Sequence, residues 1–214
     1  MHFLNKVKPE HHQDYQTLNG LLQNYEYSPD AKFPQIENLL NSSPIFDYRG
    51  HFLSMAARVN DNNLFDLFLK RTRTQDLKCG AHNVIYHAAW NNNTYMLKHF
   101  IKYCTSPKKA NEYVSRAVAN KSWEAAKFII ASCTLLHSNT EPLRWAGAME
   151  NKEIIDILIP KIHYKNALLF NKRKNLPFEV LEECILDYES HLLHAKIEQE
   201  LDVALQENKP KSKI

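Results

Sequence analysis

Along most of this chain apolar residues recur at i, i+3 and i+4, while the alternation of a half-buried strand is rare, so the pattern predicts an all-α protein. The periodicity comes in paired blocks. Four segments align without gaps over fourteen residues, at offsets of 32, 29 and 29: residues 56–69 (AARVNDNNLFDLFL), 88–101 (AAWNNNTYMLKHFI), 117–130 (AVANKSWEAAKFII) and 146–159 (AGAMENKEIIDILI). Each opens on a small pair, Ala56-Ala57, Ala88-Ala89, Ala117-Val118 or Ala146-Gly147. A short polar break follows, such as Asn60-Asp61-Asn62, and then an apolar block such as Leu64-Phe65 with Leu67-Phe68-Leu69. This predicts helix, tight turn, helix. Small residues let neighbouring helices approach closely, and asparagine tolerates the left-handed backbone that ends a helix. The Ile154-Ile155 and Ile157-Leu158-Ile159 blocks predict second helices buried on most of their circumference, as when units stack on both sides.

Flanking segments carry the same period less regularly. Residues 12–25 and 33–41 read as two helices separated by Tyr27-Ser28-Pro29-Asp30, so residues 1–43 form an N-terminal helical cap or a diverged unit. Residues 44–162 hold the four units. Beyond them, residues 163–172 predict a short helix, and Pro177 opens a run to about Asn208. Its apolar places are Leu181, Cys184, Ile185, Tyr188, Leu192, Ala195, Leu201 and Leu205, on one amphipathic helix or on two broken near Lys196. That segment, residues 163–208, either caps the array or supplies a dimerisation or partner-binding helix. Residues 209–214, with Lys209-Pro210-Lys211-Ser212-Lys213, read as a disordered basic tail.

These residues resemble the ankyrin repeat, whose consensus runs T-P-L-H-x-A-A-x-x-G-H-x-E-I-V-x-x-L-L. In the fourth unit Glu141-Pro142-Leu143-Arg144-Trp145-Ala146-Gly147 stands on T-P-L-H-x-A-A, and Glu153-Ile154-Ile155 with Leu158-Ile159 stands on E-I-V and L-L. In the third, Glu124-Ala125-Ala126 and Ile129-Ile130 occupy the latter places. The resemblance covers the four units and departs from the family in three respects. The T-P-L-H start is lost in three units, the turn glycine is absent from all four, and the offset of 29 is shorter than the family's period. The shortening falls in the loops near residues 105–111 and 135–140, which leaves open whether they keep a β-hairpin finger, and whether the array is better described as another α-hairpin solenoid.

The resemblance implies an ankyrin-like solenoid of stacked helix pairs that binds a protein partner through its concave face, as an adaptor, inhibitor or regulator, bacterial effectors and their regulators included. On that geometry the concave positions are Met55, Arg58 and Val59; His87, Trp90 and Asn91; Arg116, Ala119 and Asn120; and Trp145, Ala148 and Met149. The candidates for partner binding among them are Met55, Arg58, His87, Trp90, Arg116, Trp145 and Met149. Tryptophan and arginine dominate binding hot spots, although a tryptophan beside alanines also serves to fill the gap between hairpins. Trp123, at the start of a second helix, is assigned to packing, and Asn63 and Tyr95 to the surface.

Composition narrows the chemistry. The 214 residues carry a formal charge of +3, too small an excess to argue for nucleic acid by itself, so binding through basic patches such as Lys172-Arg173-Lys174 is kept as an alternative. Four glycines include no phosphate-cradling motif, and four separated cysteines include no C-x-x-C pair. The first ten residues lack the apolar core of a secretory signal, and no apolar run approaches the roughly 20 residues of a membrane span. A cytoplasmic location is expected, with delivery into a host cell if the source is an intracellular bacterium. The best nucleophile candidate is Cys79-Gly80-Ala81-His82, placed in the longest loop between units, and a small Cys/His enzyme or toxin using it is the second alternative. Cys104 and Cys133 recur 29 residues apart, a regularity that argues for packing. His191 and His194 share a helix face with no third metal ligand beyond Glu189. The reading is therefore a non-enzyme without cofactor or metal.

Overall fold

A computed structural model describes residues 12–43, 45 and 48–207, which form twelve α-helices joined by turns and short 3-10 segments, with no strand among the described residues. The first ten residues and the basic tail lie outside that range. The chain divides between Thr134 and Leu135 into two compact units. The first holds α1 (His12–Gln23), α2 (Pro29–Ser42), α3 (His51–Val59), α4 (Asn62–Leu69), α5 (Thr74–Trp90), α6 (Thr94–Phe100), α7 (Pro107–Ala119) and α8 (Trp123–Ser132). The second holds α9 (Glu141–Ala148), α10 (Lys152–Leu158), α11 (Tyr164–Lys174) and α12 (Glu179–Glu207).

One turn closes every hairpin. Asn60, Asn92, Lys121 and Glu150, the fifth residue of each aligned segment, adopt left-handed backbone with φ of 59°, 55°, 58° and 53°. The next residue then donates its N–H to the carbonyl of the first: Asp61 to Ala56 (3.2 Å), Asn93 to Ala88 (2.8 Å), Ser122 to Ala117 (2.8 Å) and Asn151 to Ala146 (3.2 Å). This is the Schellman closure, which satisfies carbonyls orphaned at the helix end. Asp61, Asn93 and Asn151 go on to cap the following helix by accepting from the N–H groups of Leu64 (2.9 Å), Met96 (3.0 Å) and Ile154 (2.9 Å). The third hairpin does it differently. Ser122 gives its hydroxyl to the Trp90 carbonyl (2.7 Å), and the cap comes from the preceding hairpin, Asn92 accepting from the Ala125 N–H (2.9 Å).

The same closure recurs once more. Asn175 has φ 56°, and Leu176 donates to the Asn171 carbonyl at 3.1 Å. Helices α11 and α12 are thus joined as the pairs before them are. Helix α12 is continuous through Lys196, but its apolar places are covered only at the start. Leu181, Cys184 and Ile185 are buried, whereas Leu192, Ala195 and Leu201 are exposed, so the amphipathic reading holds for its first turns alone.

Burial follows the aligned segments. The first residue of each, Ala56, Ala88, Ala117 and Ala146, is fully buried, as are Leu64, Met96, Ala125 and Ile154, and Phe68, Phe100, Ile129 and Leu158 at most 1% exposed. In the first unit α3 packs on α5 and α5 on α7, while α4 packs on α6 and α6 on α8; in the second, α9 packs on α11 and α10 on α12. Within each unit a pair therefore meets the next with first helices together and second helices together. The loops at residues 70–73, 104–106 and 133–140 contain no strand, so none forms a β-hairpin finger.

Two local readings are corrected. Helix α2 begins at Pro29, not at residue 33, because proline at the first turn lacks only an N–H that would be orphaned anyway. The Cys79-Gly80-Ala81-His82 segment lies inside α5, not in a loop. Gly80 is there to admit another backbone: a Cβ on it would meet the Arg49 carbonyl oxygen at 2.8 Å and the Gly50 Cα at 2.8 Å. The crossing is fixed by Asp76, which is buried and accepts from the Arg49 N–H (3.0 Å) and Arg73 Nε (2.8 Å).

Candidate functional site

Five of the seven binding candidates gather on the first helices of the first unit. Met55 and Arg58 stand on α3, His87 and Trp90 on α5, and Arg116 on α7. Because α5 packs between α3 and α7, the third residue of one aligned segment meets the residue preceding the next. Arg116 thus lies across two α5 rings, its guanidinium carbon 3.6 Å from the Trp90 ring centroid and 4.7 Å from that of Tyr86. A cation over a tryptophan face is worth about 0.5–2 kcal/mol. The contact fixes the guanidinium plane yet satisfies none of its donors. Arg116 Nε is buried without a hydrogen-bond acceptor, a cost of about 1–3 kcal/mol. Trp90 remains 40% exposed, so it both packs and presents a face.

Beside this stack lies an open groove of about 440 Å³ lined by Asn19, Gln23, His51, Ser54, Met55, Arg58, Asn83 and His87. Among the described residues no carboxylate lines it. Arg58 is exposed and only loosely paired, 4.0 Å from Glu26. Both histidines are held below the ordinary imidazole range, His87 by burial first and then by Arg58 and Arg116, His51 by burial and then by Arg58. The nearby Glu112, one turn before Arg116 on α7, is taken by Lys109 at 2.8 Å. The face therefore presents two arginines, two neutral imidazoles, three amides and two large rings. Such a surface offers many donors and little negative charge.

Tyr86, His51, Asn83 and the α1 amides were not among the sequence candidates. Tyr86 precedes Trp90 by four residues, so helical spacing alone pairs the two rings. The contribution of α1 is a long-range contact with no local signal.

Trp145 and Met149 belong to the second unit, on α9 and at its C-terminal cap. Trp145 is 38% exposed and Met149 half-buried. Next to Trp145, Arg144 sits over the Phe170 ring at 3.1 Å with its Nε buried and unpaired, and burial lowers its pKa. A second hollow, of about 370 Å³, is lined by His137, Ile162, His163, Tyr164, Lys165 and Asn166. Its two imidazoles lie 4.0 Å apart, with His137 Nδ1 2.9 Å from the Lys161 carbonyl. Among the described residues no group of three His, Cys, Asp or Glu side chains is arranged to hold a metal.

The remaining candidates are placed as follows. Cys79 is exposed on α5, while the two ring nitrogens of His82 face the Tyr113 hydroxyl (2.7 Å) and Lys109 Nζ (3.5 Å), so His82 is not aimed at the thiol. Cys104 and Cys133, half-buried, are brought close enough for each thiol to influence the other; burial pushes both up, Cys133 to about 12. Their spacing of one segment is what stacks them. Lys172 is bound to Glu182 at 2.6 Å, leaving Arg173 and Lys174 exposed in the last turn of α11. Trp123 is half-buried, and Asn63 and Tyr95 are exposed, Tyr95 donating to Asp66 at 2.7 Å. No helix among the described residues is long and apolar enough to cross a membrane.

No family model, curated protein or solved structure matches the chain.

Proposed function

We propose that this chain is a protein-interaction module, an ankyrin-like stack of helix pairs that captures a partner protein in the cytoplasm, its own or that of a host cell, and does no chemistry itself. The family likeness rests on the alanine pairs, on Glu141-Pro142-Leu143 and Glu153-Ile154-Ile155, and on a Schellman turn repeated where the family has glycine. The missing β-hairpin fingers make it a pared-down version of that architecture. One observation carries the functional reading: the half-buried Arg116 is stacked on Trp90 and Tyr86 with its Nε unpaired, and Trp90 is still exposed, beside an open groove on the helices that would form the concave surface. A partner that docks here covers the exposed face of Trp90 and meets a guanidinium whose orientation is already fixed.

Affinity capture with cross-linking mass spectrometry, using the whole chain as bait in the source cell, tests the proposal. Cross-links from a captured protein to α3, α5 and α7, with capture lost on Trp90→Ala and kept on Cys79→Ala, support it. Capture or activity that depends on Cys79 and ignores Trp90 overturns it in favour of an enzyme.

A further inference from the structure

The chemistry of the face specifies more than a protein partner. Arg116 Nε is buried with no acceptor among the described residues, and the Trp90 ring holds the planar guanidinium in place. Arg58 stands on α3 and Arg116 on α7, the two helices packed against α5, which carries His87. Between them the groove wall consists of amides, a hydroxyl, a thioether and imidazoles, with no acid among the described residues. Glu26, at its edge, is 4.0 Å from Arg58, and Glu112 is occupied by Lys109.

We propose that the partner is recognised through an acidic extended segment, one carboxylate of which lies in the plane of the Arg116 guanidinium while the segment runs over the groove toward Arg58. This rests on the interaction reading above and adds the chemistry of what is bound. A carboxylate matches the guanidinium fork through two parallel N–H···O bonds. The side-chain amides of Asn19, Gln23 and Asn83 each donate and accept, which suits a peptide backbone crossing them. Nucleic acid fits less well. A phosphate chain draws its affinity from many cations, and among the described residues this groove has one arginine, no lysine and a second arginine beside it.

The test selects peptides from a random displayed library against the whole chain, then measures chosen sequences by fluorescence anisotropy in about 0.1 M salt. Selected peptides should be enriched in Asp and Glu. Arg116→Gln should weaken them at least tenfold, and so should replacing the critical peptide Glu by Gln. The two changes together should cost about what either costs alone, the mark of a direct pair. Arg116→Lys, which keeps the charge and loses the fork, should also weaken binding, and unchanged circular dichroism of the variants separates this from misfolding. Peptides lost on Trp90→Ala but without acid enrichment overturn the acidic-segment inference and leave the interaction module standing. No selectable peptide, or peptides insensitive to Trp90→Ala, overturns both. A single-stranded oligonucleotide that binds through Arg58 and Arg116 more tightly than any peptide also overturns the inference.

Discussion

Two glycines in helix interiors should respond oppositely to the same substitution. Gly20 lies within α1 with no heavy atom within 4 Å of where a Cβ would stand, whereas a Cβ on Gly80 would fall 2.8 Å from the Arg49 carbonyl oxygen, 2.8 Å from the Gly50 Cα and 3.1 Å from the Gly50 carbonyl oxygen. Alanine in place of mid-helix glycine gains about 0.8–1 kcal/mol of helix propensity at either site. At Gly20 nothing opposes that gain. At Gly80 the obstructing atoms are backbone, which no rotamer change can move, so α5 must shift away from the 48–50 turn by about half an ångström. Overpacking costs about 1–3 kcal/mol, and a backbone clash belongs at the upper end. Moving the turn also stretches the Asp76 bond to the Arg49 N–H. Gly80→Ala should therefore lose about 1–2 kcal/mol net and Gly20→Ala gain close to 1, a separation of about 2–3 kcal/mol. Urea unfolding followed by tryptophan fluorescence measures this, in a Trp145→Phe background so that only Trp90 and Trp123 of the first unit report. A Gly80→Ala protein as stable as the parent would refute the close crossing of α5 on Gly50.

Other outcomes follow from the turns and the thiols. Lys121 and Glu150 hold left-handed backbone that favours glycine, so Lys121→Gly and Glu150→Gly should each raise stability by about 0.5–1 kcal/mol in calorimetry, and a loss at both would contradict the turn assignment. Asn92→Ala removes the acceptor of the Ala125 N–H and puts alanine on left-handed backbone, so it should cost about 2–3 kcal/mol in all, with faster amide exchange at the start of α8 than at the start of α10; equal rates would argue against a cap supplied from the neighbouring hairpin. At neutral pH Cys79, which is exposed, should be alkylated first, while Cys133 and Cys184, pushed up to about 12 and about 11 chiefly by burial, lag far behind. Since the thiolate is the nucleophile, the rate at Cys133 should climb about tenfold per pH unit through mildly alkaline pH, and a plateau there would be inconsistent with a thiol held up by burial. Dibromobimane should bridge Cys104 to Cys133, read by peptide mass mapping, and a bridge through Cys79 instead would show that the two helix ends are not adjacent.

The helix pairs were legible because burial in this chain is periodic and local: the alanine pair and the apolar block of each segment suffice to place two helices and the break between them. Asn60 and Asn92 also announced their left-handed turns. Lys121 and Glu150 did not, since neither residue type favours that backbone, and only alignment with their neighbours reveals the shared role. Gly80 misled for a related reason. A glycine beside a cysteine and a histidine reads locally as a loop, yet its purpose is a contact with Gly50, thirty positions earlier in the chain. The binding face was half visible. Its arginines and tryptophan could be listed from position within the segment, but the diagonal step that lays Arg116 on Trp90, and the amides that α1 contributes to the groove, depend on packing between helices far apart in sequence.

The asparagines at the second turn also tie its hairpin to the ones before and after it. Asn91 donates to the carbonyls of Ala57 and Arg58, Asn93 to the side chains of Asn60 and Asn62, and Asn92 completes α8. The stretch that recurs in the sequence is therefore not a self-sufficient building block. Excising the second segment whole, or inserting a copy of it, would leave α8 with a foreign turn before it and the first hairpin with different amides at its edge. Length variation in relatives of this protein should accordingly be found at the ends of the array or in the loops between pairs, and recombination that shuffles whole segments should be tolerated only where the asparagine register travels with them.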